Sequence, residues 1–248
     1  MTKGDGFFSG AVARNYDALH GSKNSEEIAP MVATLEDLCE GGRALEFAIG
    51  TGRVALPLAA RGIDVSGIEM SRDMVAEMRR KPGGRNIQVV IGDMSETEIA
   101  DSFSLVFLVY NTIDNLTTQE AQVACFANAA AHLLPGGRFV VETLVPPLQR
   151  LPFGETALAF VCDEDHFGTD EFDVVSQTYT SHHIRNAGAG LEKFSTPFRY
   201  AWPAELDLMA RMAGLTLEHR WSDWNRNAFT RYSSRHVSVW RTPVTASP

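Results

Sequence analysis

The stretch Leu45-Glu46-Phe47-Ala48-Ile49-Gly50-Thr51-Gly52-Arg53 decides the reading of this chain. The apolar run Ala44 to Ile49 has the length of a buried strand, and Gly50-Thr51-Gly52 turns it into the helical pattern Val54, Leu56, Leu58, Ala59. Two of the three turn positions lack a Cβ, so a ligand can approach the backbone closely there. The same change of period repeats downstream. Ile63 to Ile68 reads as a second strand ending at Glu69; Ser71 then caps a helix carrying Met74, Val75 and Met78, with Asp73 in its first turn and Arg79, Arg80 and Lys81 in its last. Pro82-Gly83-Gly84 stops it. Ile87 to Ile91 is the third strand, followed by Gly92-Asp93-Met94, and Phe103 to Val109 is the fourth. Val123, Phe126, Ala130 and Leu133 form a helical stripe that Pro135-Gly136-Gly137 is expected to end, before a fifth strand at Phe139 to Val141. Upstream, Ile28, Met31 or Val32, Leu35 and Leu38 recur at helical spacing behind Ser25 as N-cap. Short apolar strands alternating with amphipathic helices imply a parallel sheet covered on both faces, a doubly wound α/β fold. Such sheets bind ligands beyond the carboxyl ends of their strands, where Gly50, Glu69, Asp93 and Tyr110 fall.

From Pro146 to about Lys193 the pattern degrades into prolines, an acidic stretch from Asp163 to Asp173 and β-favouring alternation, which reads as an insertion rather than a separate domain. Phe194 to Tyr200 is then expected as a strand, Pro203 to Ala213 as a helix between Pro and Gly214, and Leu215 to Trp221 and His236 to Arg241 as closing strands. Composition narrows the class. The 248 residues suffice for one large domain with a full core, and Cys39, Cys125 and Cys162, odd in number and in apolar surroundings, read as buried reduced thiols of a cytoplasmic protein. No basic-then-apolar leader or 18-residue apolar run occurs, so neither export nor a membrane partner is expected. A net charge of −9, with no basic run longer than Arg79 to Lys81, argues against nucleic acid.

Neither register of the glycine turn supplies the third glycine of the dinucleotide fingerprint: Ala55 stands there in one and Arg53 in the other. The turn instead resembles motif I of class I S-adenosylmethionine-dependent methyltransferases, E/D-x-G-x-G-x-G followed by a helix. Glu46, Gly50 and Gly52 match, and Ala48 replaces the first glycine. The resemblance implies a Rossmann-like, seven-stranded, mostly parallel sheet with an antiparallel last strand. It makes Glu69 the acceptor for both ribose hydroxyls of the cofactor, with Met70 against the adenine, and Asp93 the acceptor for the adenine amino group, with Met94 lining the ring. Leu134-Pro135-Gly136-Gly137 resembles the family's segment before strand five. Tyr16-Asp17 with Lys23 resembles the Y-D-x-x-Y-x-x-K opening segment of small-molecule methyltransferases, including amino-sugar N-methyltransferases of antibiotic biosynthesis, although His20 replaces the second Tyr. On that basis residues 1–42 are expected to be a helical lid bringing Tyr16 to the cofactor, and residues 43–248 the catalytic domain, with the insertion at about 146–193 covering the substrate.

The expected reaction is transfer of the S-adenosylmethionine methyl to an N or O atom of a small molecule, leaving S-adenosylhomocysteine. The protein's share is alignment, exclusion of water and, where needed, removal of a proton. Val109 and Tyr110, at the end of strand four, are expected to border the cofactor and the methyl respectively, with Tyr110 and His166 as candidate catalytic residues beside Asn111, Glu142, His182 and His183. Asp163-Glu164-Asp165-His166 reads as a solvated loop rather than a metal site, so no metal is expected. Trp221 and Trp224 fit a substrate wall or a packed hairpin equally. The acidic cover favours a neutral or cationic acceptor, and the enzyme is expected as a monomer or homodimer. A non-catalytic cofactor sensor and an RNA or protein methyltransferase are the alternatives; against the latter, Tyr110-Asn111-Thr112-Ile113 stands where an Asn-Pro-Pro-Tyr-type motif would be.

Overall fold

The computed structural model describes residues 7–20, 25–186 and 190–244. Its elements, in chain order, are α1 (Gly10–His20), α2 (Ser25–Cys39), β1 (Arg43–Phe47), α3 (Ala55–Ala60), β2 (Asp64–Glu69), α4 (Arg72–Arg79), β3 (Gln88–Ile91), β4 (Phe103–Leu108), α5 (Gln119–His132), β5 (Leu133–Leu144), β6 (Ala157–Cys162), β7 (His166–Asp173), β8 (Thr178–Asn186), β9 (Leu191–Arg199), α6 (Pro203–Met212), β10 (Thr216–Trp221) and β11 (Arg235–Arg241). The caps follow the local chemistry. Ser71 accepts the Met74 amide at 3.3 Å at the start of α4 and Thr118 accepts that of Ala121 at 3.1 Å at the start of α5. Pro203 opens α6, and Gly214 leaves it with a φ of +78°. Lys23, and the side chains of His20 and Ser25, lie outside the described residues.

Seven strands form one sheet in the order β10-β11-β5-β4-β1-β2-β3, parallel except that β11 runs antiparallel to both β5 and β10. The expected doubly wound fold with its antiparallel last strand is therefore present. Alternate residues of the central strands serve opposite faces. Ala44 joins Met31, Leu35, Val140 and Val239 in the core under α2, while Leu45 and Phe47 join Phe126, Phe139 and Trp240 in the core under α5 and α6. Full burial on both faces is why these strands read as unbroken apolar runs. The chain reverses its direction of winding at β1 and β4, which neighbour each other in the sheet, and a crevice opens at that switch point.

Three expectations change. The α5 helix stops at His132, before Pro135, because Leu133 takes an extended conformation and pairs with Phe103, and the Gly136 amide bonds to Pro243 O at 2.9 Å; the proline-glycine segment thus begins the long strand β5. Residues 194–200 do form a strand, but β9 pairs with β8 in a second, four-stranded antiparallel sheet of order β6-β7-β8-β9, which carries the insertion on to Arg199. Cys162 is exposed on the outer strand β6, whereas Cys39 and Cys125 are buried; all three are free thiols. The second sheet is fastened to the main body by a buried polar network. Arg199 donates to Gln122 Oε1 at 2.5 Å and to Glu205 Oε1 at 2.7 Å, and Gln122 donates back to the Arg199 carbonyl at 2.9 Å.

Candidate functional site

The turn after β1 carries three left-handed residues: Ala48 at φ +52°, Gly50 at +58° and Gly52 at +74°. A Cβ on Gly52 would stand 2.7 Å from Met78 Cγ, so glycine lets the turn sit directly on α4. Ala48 carries its Cβ in a conformation that costs an L-residue about 1–2 kcal/mol. Ala48→Gly removes that strain and adds about 0.4–1 kcal/mol of unfolded-state entropy. The expected outcome is a gain in urea-unfolding free energy of up to about 1 kcal/mol, and a clear loss would show that the turn is unstrained.

Two buried carboxylates face this turn. Glu69, at the end of β2, accepts the Gly50 amide at 2.8 Å through Oε2 and the Ser71 amide at 2.8 Å through Oε1. Glu46, near the end of β1, is 4% exposed and its Oε2 has no hydrogen-bond partner among the described residues. Burial pushes its carboxyl well above the usual range, against the pull of the Ala55 amide and Arg53, and Glu69 adds to the rise. The Gly92 amide bonds to Glu69 O at 3.0 Å, bringing the turn after β3 alongside Met70. In that turn Asp93 Oδ1 accepts the Ser95 amide at 2.9 Å and its hydroxyl at 2.7 Å, and Asn128 Nδ2 fixes the carbonyl of buried Met94 at 2.9 Å.

At the end of β4, after buried Val109, Tyr110 and Asn111 are consecutive left-handed residues, each with φ +58°. Buried Glu142 on β5 holds both: its Oε2 accepts the Tyr110 amide at 2.9 Å and its carbonyl accepts the Asn111 amide at 3.2 Å. The Arg53 guanidinium lies 3.6 Å over the Tyr110 ring and 5.8 Å from the Tyr16 ring centroid. Burial raises the Tyr16 phenol, against the pull of Arg53, and Glu69, Asp17 and Glu46 add to the rise. Next to Tyr16, Asp17 clasps the turn: Thr51 Oγ1 donates to it at 2.6 Å and Lys81 Nζ stands 2.5 Å away. Burial works upward on the Asp17 carboxyl, but the Lys81 and Thr51 bonds outweigh it and hold it low.

The crevice thus gathers Tyr16, Glu46, Ala48, Gly50, Val109 and Tyr110 around one opening, with Gly52, Glu69, Met70, Asp93 and Met94 in the adjoining turns. His166 is not among the lining residues. It stands on β7, 2.8 Å from His183 Nδ1, with the His183 ring stacked on Phe194 at 4.6 Å. Sequence reasoning missed Arg53, although it closes the quoted stretch; a single Arg at the head of a helix reads as solvated surface. It also left Glu142 as one candidate base among several, because the two backbone amides that it holds have no sequence signature. Among the described residues no cluster of three or more His, Cys, Asp or Glu could hold a metal, and no helix is long and apolar enough to cross a membrane.

A family profile described as a methyltransferase domain matches residues 44–137. The structure of the CcbJ methyltransferase from Streptomyces caelestis superposes with a TM-score of 0.83 at 34% identity, covering 97% of this chain and all of that one. This chain belongs to the S-adenosylmethionine-dependent methyltransferases. S-adenosylmethionine is thus its cofactor, and the methyltransferase profile covers the turn after β1, both acidic strand ends and Val109 to Asn111. The dTDP-3-amino-3,6-dideoxy-alpha-D-glucopyranose N,N-dimethyltransferase of Streptomyces fradiae is 34% identical over 54% of each chain, so this methyltransferase spans about half of that relative. At 22% identity, S-adenosylmethionine-bound CalS10 from Micromonospora echinaspora shares the fold, with a TM-score of 0.66 over 91% of this chain and 95% of that one.

Proposed function

We propose that this methyltransferase holds S-adenosylmethionine across the ends of β1, β2 and β3 and transfers its methyl, past the end of β4, to a nitrogen or oxygen of a neutral or cationic small molecule of secondary metabolism. The observation that carries this reading is the pair of buried carboxylates beside a left-handed turn, one of them with an unpartnered oxygen. The fit is chemical. Glu46 Oε2 is a buried acceptor suited to an ammonium group, which the cofactor's methionine end provides, and a cation there would draw the carboxyl back to its charged form. Glu69, locked by two amides, presents its oxygens to a ribose diol. Asp93 and Met94 serve the adenine, and Met70 packs on it. Tyr16 and Arg53 close the methionine end, with α1 as part of a lid formed by residues 1–42. Residues 43–248 form the catalytic domain, and the second sheet is its substrate cover. The cofactor, when bound, supplies an electrophilic methyl on a sulfonium. The chain's part is to keep water out, through α1 and the cover, and to present the acceptor in line at Tyr110.

A nitrogen acceptor is favoured because the Streptomyces fradiae relative is an N,N-dimethyltransferase by name. A neutral amine needs no base for the displacement, so Tyr110 serves as a wall and hydrogen-bonding group; a protonated amine or hydroxyl would call on it, or on His166 in the closed cover, for proton removal. The enzyme acts in the cytoplasm as a monomer or homodimer, without metal, nucleic acid or membrane. Calorimetry with S-adenosylhomocysteine tests the cofactor placement. Glu69→Ala is expected to bind at least about tenfold more weakly, since each hydrogen bond to a charged group contributes about 1.5–3 kcal/mol, with Glu69→Gln in between. Unchanged affinity in Glu69→Ala would remove the placement.

A further inference from the structure

Beyond the cofactor crevice, on the same face and edge of the main sheet, a cavity of about 480 Å³ opens between α2 and the loop joining β10 to β11. Its volume is that of a small-molecule site. The sheet order sets its relation to the crevice: the crevice lies over β1 and β4, and β5 and β11 follow next. Arg235, in its wall, stands with Nη1 3.7 Å from Glu142 Oε1, and the other oxygen of Glu142 accepts the Tyr110 amide at 2.9 Å. The cavity wall and the residue bordering the methyl are therefore two links apart.

The lining specifies a chemistry. Thr230, Tyr232 and Ser234 contribute hydroxyls, which both donate and accept. Trp224, 3% exposed, forms part of the wall, and its indole N–H has no acceptor among the described residues, an unfavourable state that a ligand oxygen would relieve. The charges in the wall are already answered. Asp223 accepts the Asn225 amide at 2.9 Å and Asn227 Nδ2 at 2.8 Å, and Arg235 faces Glu142. A wall of hydroxyls whose charged groups are already engaged, Asp223 by amide donors and Arg235 by Glu142, with an orphan donor beside them, suits an uncharged, oxygen-rich ring more than an ion. We infer that this cavity is the subsite for the acceptor's non-reacting part, and that it takes a neutral polyhydroxylated group, with Trp224 as its hydrogen-bonding wall. The inference rests on the proposed methyl-transfer reading, which sets the reacting atom at Tyr110.

The test follows the indole N–H resonances of the four tryptophans in the ¹⁵N-labelled full chain, the Trp224 signal being assigned by its absence in Trp224→Phe. Methyl glucoside is titrated as the neutral polyol, methoxycyclohexane as a ring of similar size without hydroxyls, and inorganic phosphate as the anion. The expected result is a saturable shift of the Trp224 signal with methyl glucoside alone, weakened about threefold to tenfold in Ser234→Ala, where Trp224 is intact. No Trp224 shift with methyl glucoside, an equal shift with methoxycyclohexane, or a saturable shift with phosphate only would each overturn the assignment. S-adenosylhomocysteine calorimetry on the same samples separates the two levels. Cofactor binding without the sugar shift overturns the cavity alone, while a parent protein that fails to bind cofactor overturns the reading beneath it.

Discussion

Replacing Glu142 by alanine is expected to slow methyl transfer by about ten- to a hundredfold while the affinity for S-adenosylhomocysteine stays within about threefold. Tyr110 and Asn111 both occupy the left-handed region without being glycine, an arrangement that costs on the order of 1–3 kcal/mol per residue and persists only where the surroundings impose it. Glu142 imposes it by accepting the Tyr110 amide through its side chain and the Asn111 amide through its carbonyl. Alanine keeps the second bond and loses the first, a charge-assisted one contributing about 1.5–3 kcal/mol, so Tyr110 is freed to drift from its place. In the proposed placement the carboxylates that hold the cofactor, Glu46, Glu69 and Asp93, lie at the ends of β1, β2 and β3, which is why its affinity is largely spared. Glu142→Gln keeps an acceptor of the same shape and is expected to restore most of the single-turnover rate. That rescue separates positioning from proton abstraction, since a base would be as inactive with Gln as with Ala. Equal loss in both variants would make Glu142 a base.

The second large effect is on stability. Asp114, one turn past the Tyr110-Asn111 pair, is 1% exposed, and burial pushes its carboxyl up to about 7, although Tyr179 Oη donates to it at 3.1 Å, Thr143 Oγ1 at 3.2 Å, and Arg199 lies nearby. The folded state then holds a proton that the unfolded chain has released above its ordinary value of 3.8. Stability from this group is fully present below about pH 4 and falls as pH rises toward 7, by about 4 kcal/mol in all at about 1.4 kcal/mol per unit. Asp114→Asn cannot ionise, so relative to the parent it is expected to gain about 3 kcal/mol between pH 5 and pH 8 by urea unfolding. Buried His236, pushed down to about 3 chiefly by burial, has the opposite slope, since its neutral form is lost on acidification. It is common to both proteins and cancels in the difference. A difference that does not change with pH would place the Asp114 carboxyl at its ordinary value.

What was legible in the sequence was whatever depended on a short window. The β1 turn, the Ser71 cap, the acidic strand ends at Glu69 and Asp93 and the α6 helix between Pro203 and Gly214 all rest on neighbours within a few positions, and all stand where the residues implied. The end of α5 was misplaced because Leu133 carries helical spacing but pairs with Phe103, thirty residues earlier. The strand at 194–200 was found and assigned to the wrong setting, since period-two alternation says that a strand exists and not which sheet receives it. Glu142 shows the limit for the site itself. Its importance lies in two amides thirty-odd positions away, and amides are present at nearly every residue.

The second sheet has a consequence for how such an enzyme diversifies. All its pairings join consecutive strands between Ala157 and Arg199, so the whole unit is one uninterrupted stretch of chain that enters after β5 and leaves into α6. Among the described residues its hydrogen-bonded moorings gather at one end, Arg199 to Gln122 and Glu205, Gln177 to Glu205 and Tyr179 to Asp114, while Phe7 packs on Phe194 farther along β9. A segment with that connectivity can be lengthened, reshaped or exchanged between lineages as a single genetic block, provided those moorings are kept, while the strands that carry the cofactor turns are inherited untouched. With the second sheet as the proposed substrate cover, its share of acceptor preference is thereby free to evolve at a different rate from methyl-donor use within one gene.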